Sequence, residues 1–173
     1  MREYIKVSVS LGVVCLIATF LLAFVNSFTA PKIKEATDKK AIELCKTVYE
    51  AESFEEQEIS EDLTETVDKI YRANDGGYVI AAVGKGYGGD LVVMVGVKEG
   101  KVVGSVVLTS SETQNIGTKV ENEEYASRYL EKTKETFSSV DAIAGATRSS
   151  NAYKEAVGNA LSAYDILNKE VAK

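Results

Sequence analysis

The residues best placed to do chemistry lie near the end of the chain, in Asp141-Ala142-Ile143-Ala144-Gly145-Ala146-Thr147-Arg148-Ser149-Ser150. Small side chains here lead straight into a strongly patterned helix. Ser149, Ser150 or Asn151 can cap that helix, and the free N–H groups and dipole of a helix N-terminus favour a phosphate. Arg148 adds a fixed positive charge. The small residues let a bulky group approach the Thr147 hydroxyl, so the stretch reads as an anion site with a hydroxyl at its centre. A glycine turn followed by a capped helix accounts for Gly145 and Ser150 without any ligand.

Composition removes the competing chemistries. The 173 residues include no His, which excludes Ser-His-Asp and Cys-His hydrolase sites and His-ligated zinc or haem. Two Cys cannot supply a disulfide framework, nor an iron–sulfur cluster held by this chain alone. With 20 basic against 26 acidic residues and a net charge of −6, a nucleic-acid partner is not expected. A hydrophobic content of 45% is that of a folded chain.

Several elements must position this stretch. Residues 7–25 form an uncharged run of 19, containing 12 Val, Ile, Leu or Phe. That length suits a hydrocarbon layer of ~30 Å, and these side chains contribute about −5 kcal/mol to insertion. Thr29-Ala30 precedes Pro31, a poor cleavage context, so the run reads as a retained anchor and not a signal peptide. Arg2 and Lys6 before it favour a cytoplasmic N-terminus, although Lys32, Lys34, Lys39 and Lys40 follow it. Cys15 and Cys45 fall on different sides of the bilayer boundary and do not pair. Thr29 and Pro31 are suited to open a helix over residues 31–50, with Ile33, Ala36, Ala41, Leu44 and Val48 on an imperfect apolar stripe. Residues 50–68 hold nine acidic and no basic residues, the pattern of a solvated loop or helix face.

A strand-rich block comes next. Residues 69–73 and 78–83 flank Asn74-Asp75-Gly76-Gly77, and residues 91–98 and 101–108 flank Glu99-Gly100, so two antiparallel hairpins are expected. Between them Gly84-Lys85-Gly86-Tyr87-Gly88-Gly89 allows close backbone approach to a planar ligand or phosphate, but equally fits a mobile loop. Residues 121–135 read as a surface helix. Residues 151–171 read as a long amphipathic helix with Tyr153, Val157, Ala160, Leu161, Tyr164 and Leu167 on one stripe. The class is α+β: one N-terminal transmembrane helix, then a single domain with a mainly antiparallel sheet flanked by helices. The expected divisions are an anchor (1–28), a connecting helix and acidic segment (29–68) and the domain itself (69–173).

Residues 141–150 resemble the flavinylation motif of the FMN-binding domain family. There an Asp precedes Ser/Thr-Gly-Ala-Thr, and the last Thr carries FMN through a phosphoester. Asp141, Gly145, Ala146 and Thr147 match, while Ala144 stands where the family has Ser or Thr. Residues 111–119 are similar to the family's Glu-Thr-Pro-Gly-Leu-Gly segment through Glu112, Thr113, Ile116 and Gly117, with Gln114 and Asn115 replacing Pro and Gly. The family includes the G subunit of the Rnf complex and the C subunit of sodium-pumping NADH:quinone reductase, and the short chain resembles the former.

The resemblance implies one covalent FMN per chain on Thr147. Gly145, Ala146, Arg148, Ser149 and Ser150 then surround the phosphate. Thr113 contacts the ring and Ile116 makes an apolar contact there, Glu112 of the same loop is a further cofactor-binding residue, and Gly88 and Gly89 line the pocket. It further implies an electron relay in a membrane complex coupling ferredoxin:NAD⁺ oxidoreduction to Na⁺ or H⁺ translocation, without independent catalysis by this chain. The other Rnf-type subunits would be its partners, with a flavin transferase during maturation, and the FMN domain would be extracytoplasmic. The competing readings are a subunit of the quinone-reductase type, a membrane-anchored scaffold without flavin, and an extracellular small-ligand module.

Overall fold

The computed structural model describes residues 2–60 and 63–171. The chain divides into two compact units, residues 1–39 and 40–173. The first consists of most of a long helix, α1 (Arg2–Val48). Leu16, Phe20 and Leu22 on it are 72%, 70% and 72% exposed, so apolar side chains crowd the surface of a helix long enough to cross a membrane. Such a surface suits lipid and not water. Pro31 does not open a separate helix: it lies inside α1, and the Thr29 hydroxyl donates back to the Val25 carbonyl (2.9 Å) instead of capping.

The second unit is built on a five-stranded antiparallel meander: β1 (Phe54–Gln57), β2 (Val67–Ala73), β3 (Tyr78–Lys85), β4 (Asp90–Lys98) and β5 (Lys101–Thr109), in that spatial order. The two hairpins stand where their turn residues put them. The first turn is pinned by Asp75, which accepts from Lys98 Nζ (2.6 Å) and from the Tyr49 hydroxyl (2.8 Å). The Lys98 bond holds the Asp75 carboxyl down at about 2. β1 is a correction to the reading of residues 50–68 as loop or helix face. Phe54 pairs with Ala73 and Gln57 with Ile70, while Glu55 and Glu56 face water, so the strand hides within an acidic run. Charges of this kind also keep a sheet edge from pairing with other chains. Glu61 and Asp62 of that run lie outside the described residues.

The sheet is buried on both faces, which explains why β3 is apolar almost throughout. On one face lies α3 (Thr147–Val171), whose Tyr153, Val157 and Leu161 join Ile70, Ile80, Val93 and Val95 in the larger core. On the other face, Ala41, Cys45, Val48 and Tyr49 pack with Tyr71, Val79, Ala81 and Met94. Cys45 is fully buried there, which shields an unpaired thiol from oxidants.

Residues 121–135 do not form one helix. A short helix, α2 (Glu123–Ser127), is followed by turns, and Glu131 adopts φ 60°. This left-handed residue turns the chain so that Glu131 N–H donates to Val102 O (2.8 Å) and Val102 N–H to Lys132 O (2.9 Å), covering the start of β5. Beneath this segment the rings of Tyr125, Tyr129 and Tyr153 pack with centroids 5.2–5.7 Å apart. Burial pushes the Tyr129 and Tyr153 phenols well above their ordinary range and keeps them neutral.

Candidate functional site

Three connections meet at one end of the second unit: the glycine loop between β3 and β4, the segment after β5, and the approach to α3. The meander produces this meeting. The β3–β4 turn and the end of β5 lie at the same end of the sheet, since Lys85 pairs with Asp90 and Thr109 with Val92. α3 starts at that end because Glu155 Oε2 accepts from Lys85 N–H (3.0 Å) and Asn159 Nδ2 donates to Val83 O (2.8 Å).

Between the three connections opens a cavity of about 540 Å³. Its lining comprises Tyr87, Glu112, Thr113, Ile116, Gly117, Gly145, Ala146, Thr147, Arg148 and Ser149. Its volume falls in the ~300–1,000 Å³ usual for small-molecule sites. Eight of the eleven residues singled out in the sequence thus share one cavity. Gly88 and Gly89 sit beside the lining, and Ser150 is fully buried beneath it. Asp141 and Ala144 are exposed and lie outside the lining. A second cavity of about 390 Å³ along β5 contains none of the eleven.

The start of α3 differs from expectation. The helix begins at Thr147, so Ser149, Ser150 and Asn151 are inside it and are not caps. Gly145 takes φ +81°, a left-handed turn that few other residues tolerate. Ala146 N–H then donates to Ile143 O (2.9 Å), and the Ser150 hydroxyl accepts from Ile143 N–H (3.0 Å). The serine hydroxyls do not cap because their partners lie outside the helix: Ser150 closes the turn, and the Ser149 hydroxyl donates to Glu112 Oε2 (2.7 Å). The first helical bond runs from Ser150 N–H to Ala146 O (2.9 Å), so the amides of Thr147, Arg148 and Ser149 precede it at the helix mouth. Thr147 and Arg148 are exposed at this mouth, beside the cavity.

After β5, the N–H groups of Ile116 and Gly117 converge on the Thr113 carbonyl (3.2 and 2.9 Å), and Asn115 adopts φ 61°. This tight turn presents Ile116 to the cavity at 52% exposure, unusual for so apolar a side chain. Tyr87 faces the same space at 73% exposure. The sequence reading named only the glycines around it. Its signal was a lone aromatic residue among glycines, without a helical or strand partner to bury it.

The site therefore combines a helix mouth with Arg148, an exposed hydroxyl, an exposed apolar side chain (Ile116) and an exposed aromatic ring (Tyr87). That set fits a ligand with a phosphate at one end and a flat aromatic body at the other.

A family model for the FMN-binding domain matches residues 86–162, and one for the RnfG N-terminal region matches residues 2–48. The chain belongs with the RnfG-like FMN-binding proteins. The first match runs from the glycine loop into α3 and includes every residue lining the cavity. The second is coextensive with α1. Among curated proteins no significant match was found. The chain is accordingly an Rnf-type FMN subunit with an apolar N-terminal helix.

Proposed function

We propose that this Rnf-type subunit carries one FMN, esterified through its phosphate to the Thr147 hydroxyl. It relays electrons within a membrane complex coupling ferredoxin:NAD⁺ oxidoreduction to Na⁺ or H⁺ translocation. One observation carries the reading: Thr147, at a helix mouth suited to phosphate, and Ile116 with Tyr87, suited to a ring, border the same cavity. Bound flavin supplies one- and two-electron chemistry that no side chain here provides. The chain supplies position: the amides of Thr147, Arg148 and Ser149 with the Arg148 charge at the phosphate, and Thr113, Ile116 and Tyr87 at the ring. Gly145 and Ala146 keep the approach open. The RnfG N-terminal match favours this reading over a subunit of the quinone-reductase type.

The test is an intact-mass spectrum of the denatured chain after co-expression with a flavin transferase. The expected gain is the mass of FMN less one water, and an unmodified chain refutes the assignment. The ring end has its own test. Ile116→Glu changes an exposed residue, so the fold should survive and covalent flavin should remain. A negative charge at the ring should lower the flavin midpoint potential, because it disfavours the added electron. A redox titration indistinguishable from wild type would remove Ile116 from the ring site.

The membrane orientation follows as part of the proposal, with the N-terminus cytoplasmic and the flavin domain outside. In a variant without other cysteines, Lys169→Cys should react with an impermeant thiol reagent on intact cells, or on spheroplasts where an outer membrane intervenes. Labelling that requires lysis would reverse the orientation.

A further inference from the structure

The carboxylate of Glu112 is the one buried acidic side chain among the described residues, at 9% exposure. Both of its oxygens are committed to the chain. Oε1 accepts from Tyr87 N–H (2.8 Å) and Gly88 N–H (3.4 Å), and Oε2 accepts from the Ser149 hydroxyl (2.7 Å). Its own N–H donates to Ser110 Oγ (3.2 Å). Two glycines make room for it. A Cβ on Gly86 would fall on Oε1, and one on Gly117 would lie 2.5 Å from Oε2 and 2.8 Å from Ser149 Oγ. The carboxylate thus joins three segments distant in sequence: the glycine loop, the segment after β5 and the first turn of α3.

We propose that Glu112 is a positioning residue, whose buried carboxylate sets the spacing between the Tyr87 loop and the helix mouth that presents Thr147. This deepens the flavin reading and rests on it for its functional consequence. The family resemblance counts Glu112 among the cofactor-binding residues, but its oxygens are already occupied by Tyr87, Gly88 and Ser149. Charge-assisted bonds of this kind are about twice as strong as neutral ones, and losing one partner leaves the others buried and unpaired. Ring end and phosphate end of the cavity are therefore mechanically linked through Tyr87, Glu112 and Ser149.

Chemistry separates the diagnostic substitutions. Glu112→Gln keeps one acceptor oxygen for the Tyr87 and Gly88 amides, and its NH₂ can donate to the Ser149 oxygen once that hydroxyl rotates away. Glu112→Ala removes both legs. Ser149→Ala cuts only the leg to α3.

The experiment uses full-length protein in detergent, with two readouts. The first is amide hydrogen exchange over residues 85–90, measured in a Thr147→Val background where no covalent flavin is expected. The second is the visible circular dichroism of the flavin in the Thr147 background, which reports how rigidly the ring is held. Glu112→Ala should speed exchange at Tyr87 and Gly88 by about tenfold, as expected for a lost bond to a charged acceptor. It should also shrink the flavin dichroism, and Glu112→Gln should restore most of both signals. Ser149→Ala should leave the Tyr87 amide protected while reducing the dichroism.

Unchanged exchange in a folded Glu112→Ala protein overturns the proposal, as does a Glu112→Gln protein no better than Glu112→Ala. If Glu112→Ala does not fold, Ser149→Ala decides, and wild-type dichroism in that variant overturns the proposal. The exchange arm needs no flavin. Exchange results as expected in a protein that never acquires flavin would refute the flavin reading and leave the anchoring role standing.

Discussion

Replacing Thr147 by Val is expected to abolish covalent flavin while leaving the fold intact. Valine keeps the β-branched shape and loses only the hydroxyl, at an exposed position that opens α3. A surface change of this kind moves stability by no more than about 0.5 kcal/mol. The neighbouring hydroxyls cannot substitute. Ser149 is 3% exposed with its hydroxyl donated to Glu112, and Ser150 is fully buried against the Ile143 amide. Thr147 is thus the exposed hydroxyl residue of residues 147–150, and Ser149, which also lines the cavity, has its hydroxyl committed to Glu112. After co-expression with a flavin transferase, the wild-type band should fluoresce on a denaturing gel and the variant band should not. The intact mass of Thr147→Val should equal that of the unmodified chain. A flavin mass retained in the variant would move the attachment elsewhere, with Thr113 as the next cavity hydroxyl to examine.

What the sequence revealed, and what it concealed, divides along the range of the interactions. The hairpins were legible because Asn74-Asp75-Gly76-Gly77 and Glu99-Gly100 encode their turns locally; Gly76 and Gly100 take φ +88° and +76°, and Glu99 52°. α3 was legible from its apolar stripe, which is the face buried on β3 and β4. β1 was hidden because only Phe54 and Gln57 of its four residues turn inward, and the acidic pair between them reads as solvent-exposed loop. The expected helix over residues 121–135 failed to a contact that composition does not carry, the pairing of Glu131 and Lys132 with Val102.

The site divides in the same way. Residues 141–147 and 111–117 are local motifs, each legible in its own short stretch of sequence. Their convergence depends on the meander's register. The commitment of Glu112 to Tyr87 and Ser149, 25 and 37 residues away in the chain, depends on tertiary closure.

A second large effect is expected far from any motif, at Gly84 in β3. A Cβ there would fall on the Ala152 carbonyl of α3, an overlap with backbone that no side-chain rotation relieves. The missing side chain is what lets the helix lie so close to the strand. The bonds of Asn159 to Val83 and of Glu155 to Lys85 fasten α3 to the strand residues on either side of Gly84. Gly84→Ala should therefore cost about 1–3 kcal/mol, the usual penalty of overpacking, and Gly84→Val more. For a unit of this size that is a fall in Tm of roughly 3–12 °C for the Ala variant. Thermal unfolding in detergent, followed by tyrosine circular dichroism, measures it. Thr147 lies five residues before Ala152 on the same helix, so a displaced α3 should also carry the helix mouth out of register with Ile116. Flavinylation of Gly84→Val should then fall in folded protein below its melting range. Gly145→Ala supplies the contrast. Nothing lies within 4 Å of the Cβ it would add, and its cost is confined to the strain of φ +81°. Wild-type melting in Gly84→Val would show that α3 moves off the strand at no cost, so that the close approach at Ala152 does not position Thr147.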